Sequence, residues 1–335
     1  MPSRRHFLQA TAAIAATPLF AVAKDVPKLP SKSSAAETAA KALYESLTEK
    51  QKKAIAFAWD HVDKDRGLLR TFVSNNWQIT PHVVKSDYFT KEQQGIVGDL
   101  FRDLVNPDWH KRFLKQLKDD SGGKAFGAEQ SIAFFGAPGD DKFEFVMTGR
   151  HQTIRPDGNT EKHVAFGGPI FYGHAGKNFN EEKDHPDNVF WEQALAANEV
   201  YKLLDAKQQK AALVAKSPKE AAVAFRGKKI DEAPGLAIAG LSDDAKKELQ
   251  KVLGKLIEPF RVEDRDEAMQ CLKAQGGLDA CRLSFFEDAD VGDDKVWDNW
   301  RVEGPSFVWH YRGDPHVHVW VNVADDASPK LNARG

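Results

Sequence analysis

The spacing of apolar residues along this chain changes period in blocks. Over residues 35–59 and 90–117 they recur at helical intervals, with 70–80 irregular or a short strand between, and from Ser131 the period drops to two. Helical spacing returns over 188–273, and alternation resumes from Arg282. Helices, strands, helices and strands in separate blocks make an α+β chain with an antiparallel sheet flanked by helices. A parallel sheet would need strict alternation of strand and helix.

The punctuation supports this. Residues 35–59 read as two helices joined near Leu47, with Thr48 and Gln51 as a capping box. Thr90 opens a helix over 90–105, and Pro107 stops it and starts another over 108–117. Ser131–Phe135 and 143–147 read as strands, followed by 151–154 and 163–166, and 167–174 as a Gly-rich aromatic loop. Helices are expected over 188–204, 205–215, 241–257 and 263–273, with 216–240 as a connector. Arg282–Phe286, Trp300–Glu303, 306–311 and 316–322 close the chain as strands, the last two a hairpin around Arg312-Gly313-Asp314-Pro315.

Ahead of this domain, Ser3-Arg4-Arg5-His6-Phe7-Leu8 is a twin-arginine export signature. A mildly apolar Ala-rich stretch and the small-residue pattern Ala21-Val22-Ala23 follow it. The expected organisation is a signal peptide at 1–23, a flexible linker at 24–34 and a single domain at 35–325. The partner at this stage is the twin-arginine export machinery, and the destination is periplasmic or secreted. An ordinary secretory signal would give the same destination. That export route carries folded proteins, often with a cofactor already loaded. A formal net charge of −2 argues against nucleic acid, which needs a basic face. No segment is long and apolar enough for a membrane span in the mature protein. In an oxidising compartment Cys271 and Cys281 are expected to form a disulfide.

Histidines are the main carriers of chemistry. His316 and His318, two apart on a strand, project from one face with Trp320, while Val317, Val319 and Val321 take the other. Such a pair supplies two metal ligands on one side, although it also fits a plain polar face. His151 is a candidate third ligand, His174 a fourth, and His185, within Asp184-His185-Pro186-Asp187, a remoter one. His61, His82 and His110 show no partner pattern. Glu144, Asp157 and Glu303 lie in or beside strands and read as solvated-face residues or as general bases. Trp297, Trp300, Trp309 and Trp320 read as core packing, or else as a stacking platform for a sugar or aromatic ligand. No phosphate loop, nucleophile elbow, zinc-protease helix or dinucleotide fingerprint is present.

Three blocks carry a resemblance: Gly149-Arg150-His151, the run Phe166-Gly167-Gly168-Pro169-Ile170-Phe171-Tyr172-Gly173-His174, and His316-Val317-His318-Val319-Trp320. In these the chain resembles the bacterial domain-of-unknown-function family 3500, over about residues 43–322. Members show Gly-His-His at the first block, where Arg150 here replaces the first histidine. The resemblance implies export, a shared fold and a shared surface, and no particular reaction. The resulting expectation is a metal-dependent enzyme with His151, His316 and His318 as ligands. His174 would be a fourth ligand or a supporting group, and Arg150 an anion-binding or positioning group. A transition metal (Cu, Fe or Zn) would act on a small-molecule substrate by hydrolysis or oxidation. The alternatives are a non-catalytic small-ligand or carbohydrate binding protein and a structural envelope protein.

Overall fold

Capping chemistry sets the helix starts. Leu47 separates α1 (Ala35–Ser46) from α2 (Glu49–Ile55), and Thr48 and Gln51 form a complete capping box. Thr90 and Gln93 do the same for α3 (Lys91–Leu104), and Pro107 opens α4 (Pro107–Asp120), where its missing N–H costs nothing. Helices α5 (Trp191–Lys202), α6 (Ala206–Ala212), α7 (Asp243–Ile257) and α8 (Val262–Ala274) follow, with Asp205 capping α6 and Ser242 capping α7. The structure is a computed structural model that describes residues 27–175, 189–289, 297–313 and 315–329. The export signature, Asp184 to Asp187 and Asp314 of the last turn lie outside the described residues.

The strands are β1 (Ala56–Phe57), β2 (Val62–Asp63), β3 (Gly67–Leu68), β4 (Ser131–Phe135), β5 (Glu144–Gly149), β6 (Gln152–Ile154) and β7 (Ile170–His174). The second half adds β8 (Leu213–Val214), β9 (Leu236–Ala237), β10 (Arg282–Phe286), β11 (Trp300–Glu303), β12 (Phe307–Arg312) and β13 (Val317–Val323). Apart from the ribbon β2–β3, they form one sheet in the order β1-β4-β5-β6-β7-β13-β12-β11-β10-β8, with β9 also paired to β10. Two meanders thus meet where β7 pairs antiparallel with β13.

The α+β class holds, but the sheet is mixed rather than purely antiparallel. The two-residue strands β1 and β8 pair parallel with β4 and β10. Each directly follows a short helix that returns the chain to the sheet edge, so its direction is set by that helix. Two local expectations also change. Residues 170–174 of the expected loop form the central strand β7. The expected strand at 163–166 is instead an isolated bridge at Val164 and a one-turn helix Ala165–Gly167. Glycines at 167 and 168, both at positive φ, supply the sharp entry into β7.

Burial on both faces explains the sheet's composition. Strands β4, β5 and β13 are buried at every position. On one face Val317, Val319, Val321 and Val323 join the helices in the main core. On the other, Trp320 packs with Val73, Phe171, Val223 and Val308, and a neighbouring cluster joins Leu69, Ile79, Ala133, Phe135 and Val146. The chain over residues 69–79, a short 3-10 turn followed by irregular structure, and the irregular stretch 216–226 cover this second face. It is there that the polar side chains of the central strands lie.

Two further expectations are corrected, and one open choice is decided. Cys271 and Cys281 are free, buried thiols rather than a disulfide. Cys271 faces the His163 carbonyl and Cys281 faces Gln275 and the Gly277 carbonyl, so the two side chains serve different contacts. Glu144, Asp157 and Glu303 are not solvated. Glu144 bridges Arg70 and Arg155 at 2.9 and 2.7 Å, Glu303 pairs with Arg226 at 2.8 Å, and Asp157 accepts from the N–H groups of Asn159 and Glu161. The arginine partners of Glu144 and Glu303 are too distant in sequence for charge pattern alone to reveal, whereas Asp157 binds local backbone. The four tryptophans are at most 5% exposed, so they serve the core. No helix among the described residues is long and apolar enough to cross a membrane.

Candidate metal centre

Strand geometry brings three histidines to one end of the central strands. His151 sits in the two-residue link between β5 and β6, where Gly149 faces Gln152. Its φ is 53°, a left-handed conformation that costs a non-glycine residue of order 1–3 kcal/mol. The bond from His151 N–H to the Asn75 carbonyl at 2.9 Å and the bridge between Asn76 and Arg150 hold it there. His318 lies in β13 and His316 immediately precedes it, and their ring nitrogens meet on one side. Gly173, paired with His318, allows the close approach of β7. A Cβ there would meet the Val317 carbonyl oxygen at 2.3 Å and the His318 ring at 3.3 Å.

The ring nitrogens converge. His318 Nε2 lies 3.0 Å from His151 Nε2 and 3.0 Å from His316 Nε2, and one ligand atom from each residue lies within 4.8 Å of the others. His151 and His318 are buried, and His316 is half-buried at the rim.

Carboxylates aim two of the three rings. Asp120, at the end of α4, takes His151 Nδ1 at 2.6 Å, and the same oxygen accepts from Gln116 Nε2 at 2.8 Å. Its other oxygen accepts from Ala175 N–H at 2.8 Å. Burial pushes this carboxyl up, but the hydrogen bonds and charge of the facing histidines outweigh it and hold the group well below the usual range. An ionised carboxylate only accepts, so His151 donates from Nδ1, and in the neutral ring the lone pair is on Nε2. Glu220, in the connector after β8, repeats the device. Its Oε2 accepts His318 Nδ1–H at 2.8 Å and Trp320 Nε1–H at 3.3 Å, with Arg312 Nε also at 3.3 Å. Burial raises Glu220, and His318 and Arg312 bring it below its usual value. His318 Nε2 is therefore a second lone pair facing the first.

His316 and His318 are also poised as neutral ligands. Burial pushes His318 down to about 3, against the pull of Glu220, and His316 down to about 4, helped by His151 and Arg312.

The remaining candidates fall nearby. His174 pairs with Val317 and so shares the helix-facing side of the sheet, opposite His318. Its Nδ1 lies 3.2 Å from Asp120 Oδ1, off the hydrogen-bond line. It is not one of the three residues whose ligand atoms converge. Arg150 borders an open groove of about 410 Å³ with Asn76, Trp77, Gln78 and Lys124. His61 and His82 stack on Phe57 and Tyr88, His110 is tilted against Phe101, and His185 lies outside the described residues. Asp120 and Glu220 were missed by sequence reasoning. A carboxylate at a helix end or in a connector carries no spacing signal, since its partner is chosen by the tertiary fold.

Fold and cluster together define an α+β protein with a buried three-histidine group that could hold a metal ion. The chain belongs to the family described as protein of unknown function (DUF3500), whose family model matches residues 30–325. No curated protein and no solved structure matches it.

Proposed function

We propose that this protein is an exported metalloenzyme whose mononuclear transition-metal ion is held by His151, His316 and His318. One observation carries the reading. The Nε2 lone pairs of His151 and His318 face each other at 3.0 Å because Asp120 and Glu220 occupy the opposite nitrogens. Two nitrogens this close need either a shared proton or a metal ion between them, and the third converging imidazole of His316 supports the metal ion. Carboxylate-oriented imidazoles are the usual support for a metal ligand, fixing tautomer and ring direction. Metal–nitrogen bonds of ~2.0–2.1 Å in tetrahedral array set the nitrogens roughly 3.4 Å apart, close to the 3.0 Å of the two pairs that involve His318.

Three neutral imidazoles leave an open position, which suits Lewis-acid hydrolysis by zinc or oxidation by copper or iron. Arg150, next to His151, borders the groove through which a small substrate would approach, and its guanidinium would orient a carboxylate or phosphate group there. The twin-arginine signature supports export in the folded state, which suits a metal loaded before translocation.

Elemental analysis of protein purified from the periplasm without added metal tests the centre. The expected content is close to one transition-metal ion per chain, lost on His318→Ala. Folded wild-type protein free of metal, with stability unchanged by His316→Ala, would overturn it.

A further inference from the structure

We propose a second ligand site, for a phosphate-type dianion, in the small cavity between the connector after β8 and strands β10 and β11. The cavity encloses about 110 Å³ and is lined by Lys216, Arg226, Ser284, Arg301 and Glu303 among others. A water's share of liquid volume is ~30 Å³, so the space holds three or four waters or one tetrahedral oxyanion.

Its charge is unbalanced. Three cations face one carboxylate, leaving an excess of two positive charges that matches a dianion. Glu303 is itself engaged, 2.8 Å from Arg226 Nε and 3.8 Å from Arg301 Nη1.

The decisive group is Arg301. Its side chain is only 4% exposed, Nη1 donates to the Ala222 carbonyl at 3.0 Å, and Nε donates to His310 Nδ1 at 3.3 Å. Nη2 is buried with no hydrogen-bond partner. A buried guanidinium donor left unpaired costs more than an ordinary lost hydrogen bond, because the charge stays desolvated. Burial lowers Arg301 to about 10, against the pull of Glu303. An oxyanion in the cavity would accept from Nη2 and supply the missing negative charge. Lys216 is exposed at the rim and Arg226 half-buried, so the mouth stays open to solvent and steers anions inward.

This site is independent of the metal centre, and calorimetric titration of the metal-free protein with inorganic phosphate at low salt tests it. Saturable binding is expected, weakening as salt rises. Acetate should bind at least about ten-fold more weakly, having one charge rather than two. The double variant Lys216→Gln/Arg226→Gln, which removes the exposed rim cation and the half-buried one while keeping Arg301, should lose about ten-fold or more in phosphate affinity. Arg150→Gln, which alters the other groove, should leave it unchanged. Absence of saturable phosphate binding, or binding that survives the double variant intact, overturns the proposal. So does binding lost in Arg150→Gln, which would place the anion beside the histidines.

Discussion

At the scale of single residues, the centre depends on side chains that never touch its shared point. Asp120 fixes His151 through one oxygen while Gln116 and Ala175 fix Asp120 itself. Asp120→Asn would keep the size of the side chain but remove its charge. It would also put an amide N–H against a donor, either Gln116 or the backbone of Ala175. Supporting groups of this kind are worth roughly 10–100-fold in metal affinity. The expected result, measured by competition with a chelator, is a loss in that range with the secondary structure intact. An affinity unchanged within about two-fold would show that the carboxylate does not support a ligand.

At the scale of elements, the sequence was legible wherever local chemistry decides. The capping box at Thr48, the helix start at Thr90, the stop at Pro107, and strands Arg282–Phe286 and Trp300–Glu303 could all be read from their own residues. The alternation in β13 likewise told which residues join the valine core and which histidines share a side. It did not tell that the second side is covered. The run 167–174 looked like a loop because its glycines serve the turn at 167–168 and the close pass of His318, while Ile170, Phe171 and Tyr172 build a strand between them. The cover over the second face was read only as a connector. Its Val223 side chain fills the Trp320 cluster, its carbonyls accept from Arg301 and Asn322, and Glu220 holds His318. Val223→Ala should therefore cost about 2 kcal/mol from the lost burial and also weaken metal binding, although it touches no ligand. Val97→Ala, in α3 on the opposite side, should cost a similar amount and leave metal affinity alone. Denaturant titration with chelator competition separates the two, and equal metal affinities in both variants would count against this coupling.

At the scale of the whole molecule, one electrostatically linked group of buried side chains holds more acid than base. Glu37, Glu144, Asp157, Asp264 and Glu267 are all buried, against Arg70, Arg155 and Arg261. Some of these carboxyls must therefore hold protons at neutral pH. Burial and the neighbouring Glu37 push Asp264 up to about 7, even though Arg261 Nε donates to it at 3.0 Å. Asp157 and Glu267 are raised too, chiefly by burial. The sign follows from proton counting. Between the ordinary value near 3.8 and about 7, folded Asp264 holds a proton that the unfolded chain has released. Its contribution to stability is complete below that window and falls as pH rises through it. One pKa unit is worth about 1.4 kcal/mol, so this carboxyl alone can remove a few kcal/mol. Asp264→Asn keeps an acceptor for Arg261, and the bidentate pair of Arg261 with Glu37 at 2.7 Å is untouched. Denaturant titrations of metal-free protein from pH 5 to pH 7.5 should show the variant losing less stability than the wild type as pH rises. His316 and His318 are depressed rather than raised, so they contribute an opposite slope that is common to both proteins and cancels in the difference. Parallel pH profiles for the two would mean that Asp264 is already ionised in the fold, and that the excess protons sit on Asp157 and Glu267 instead.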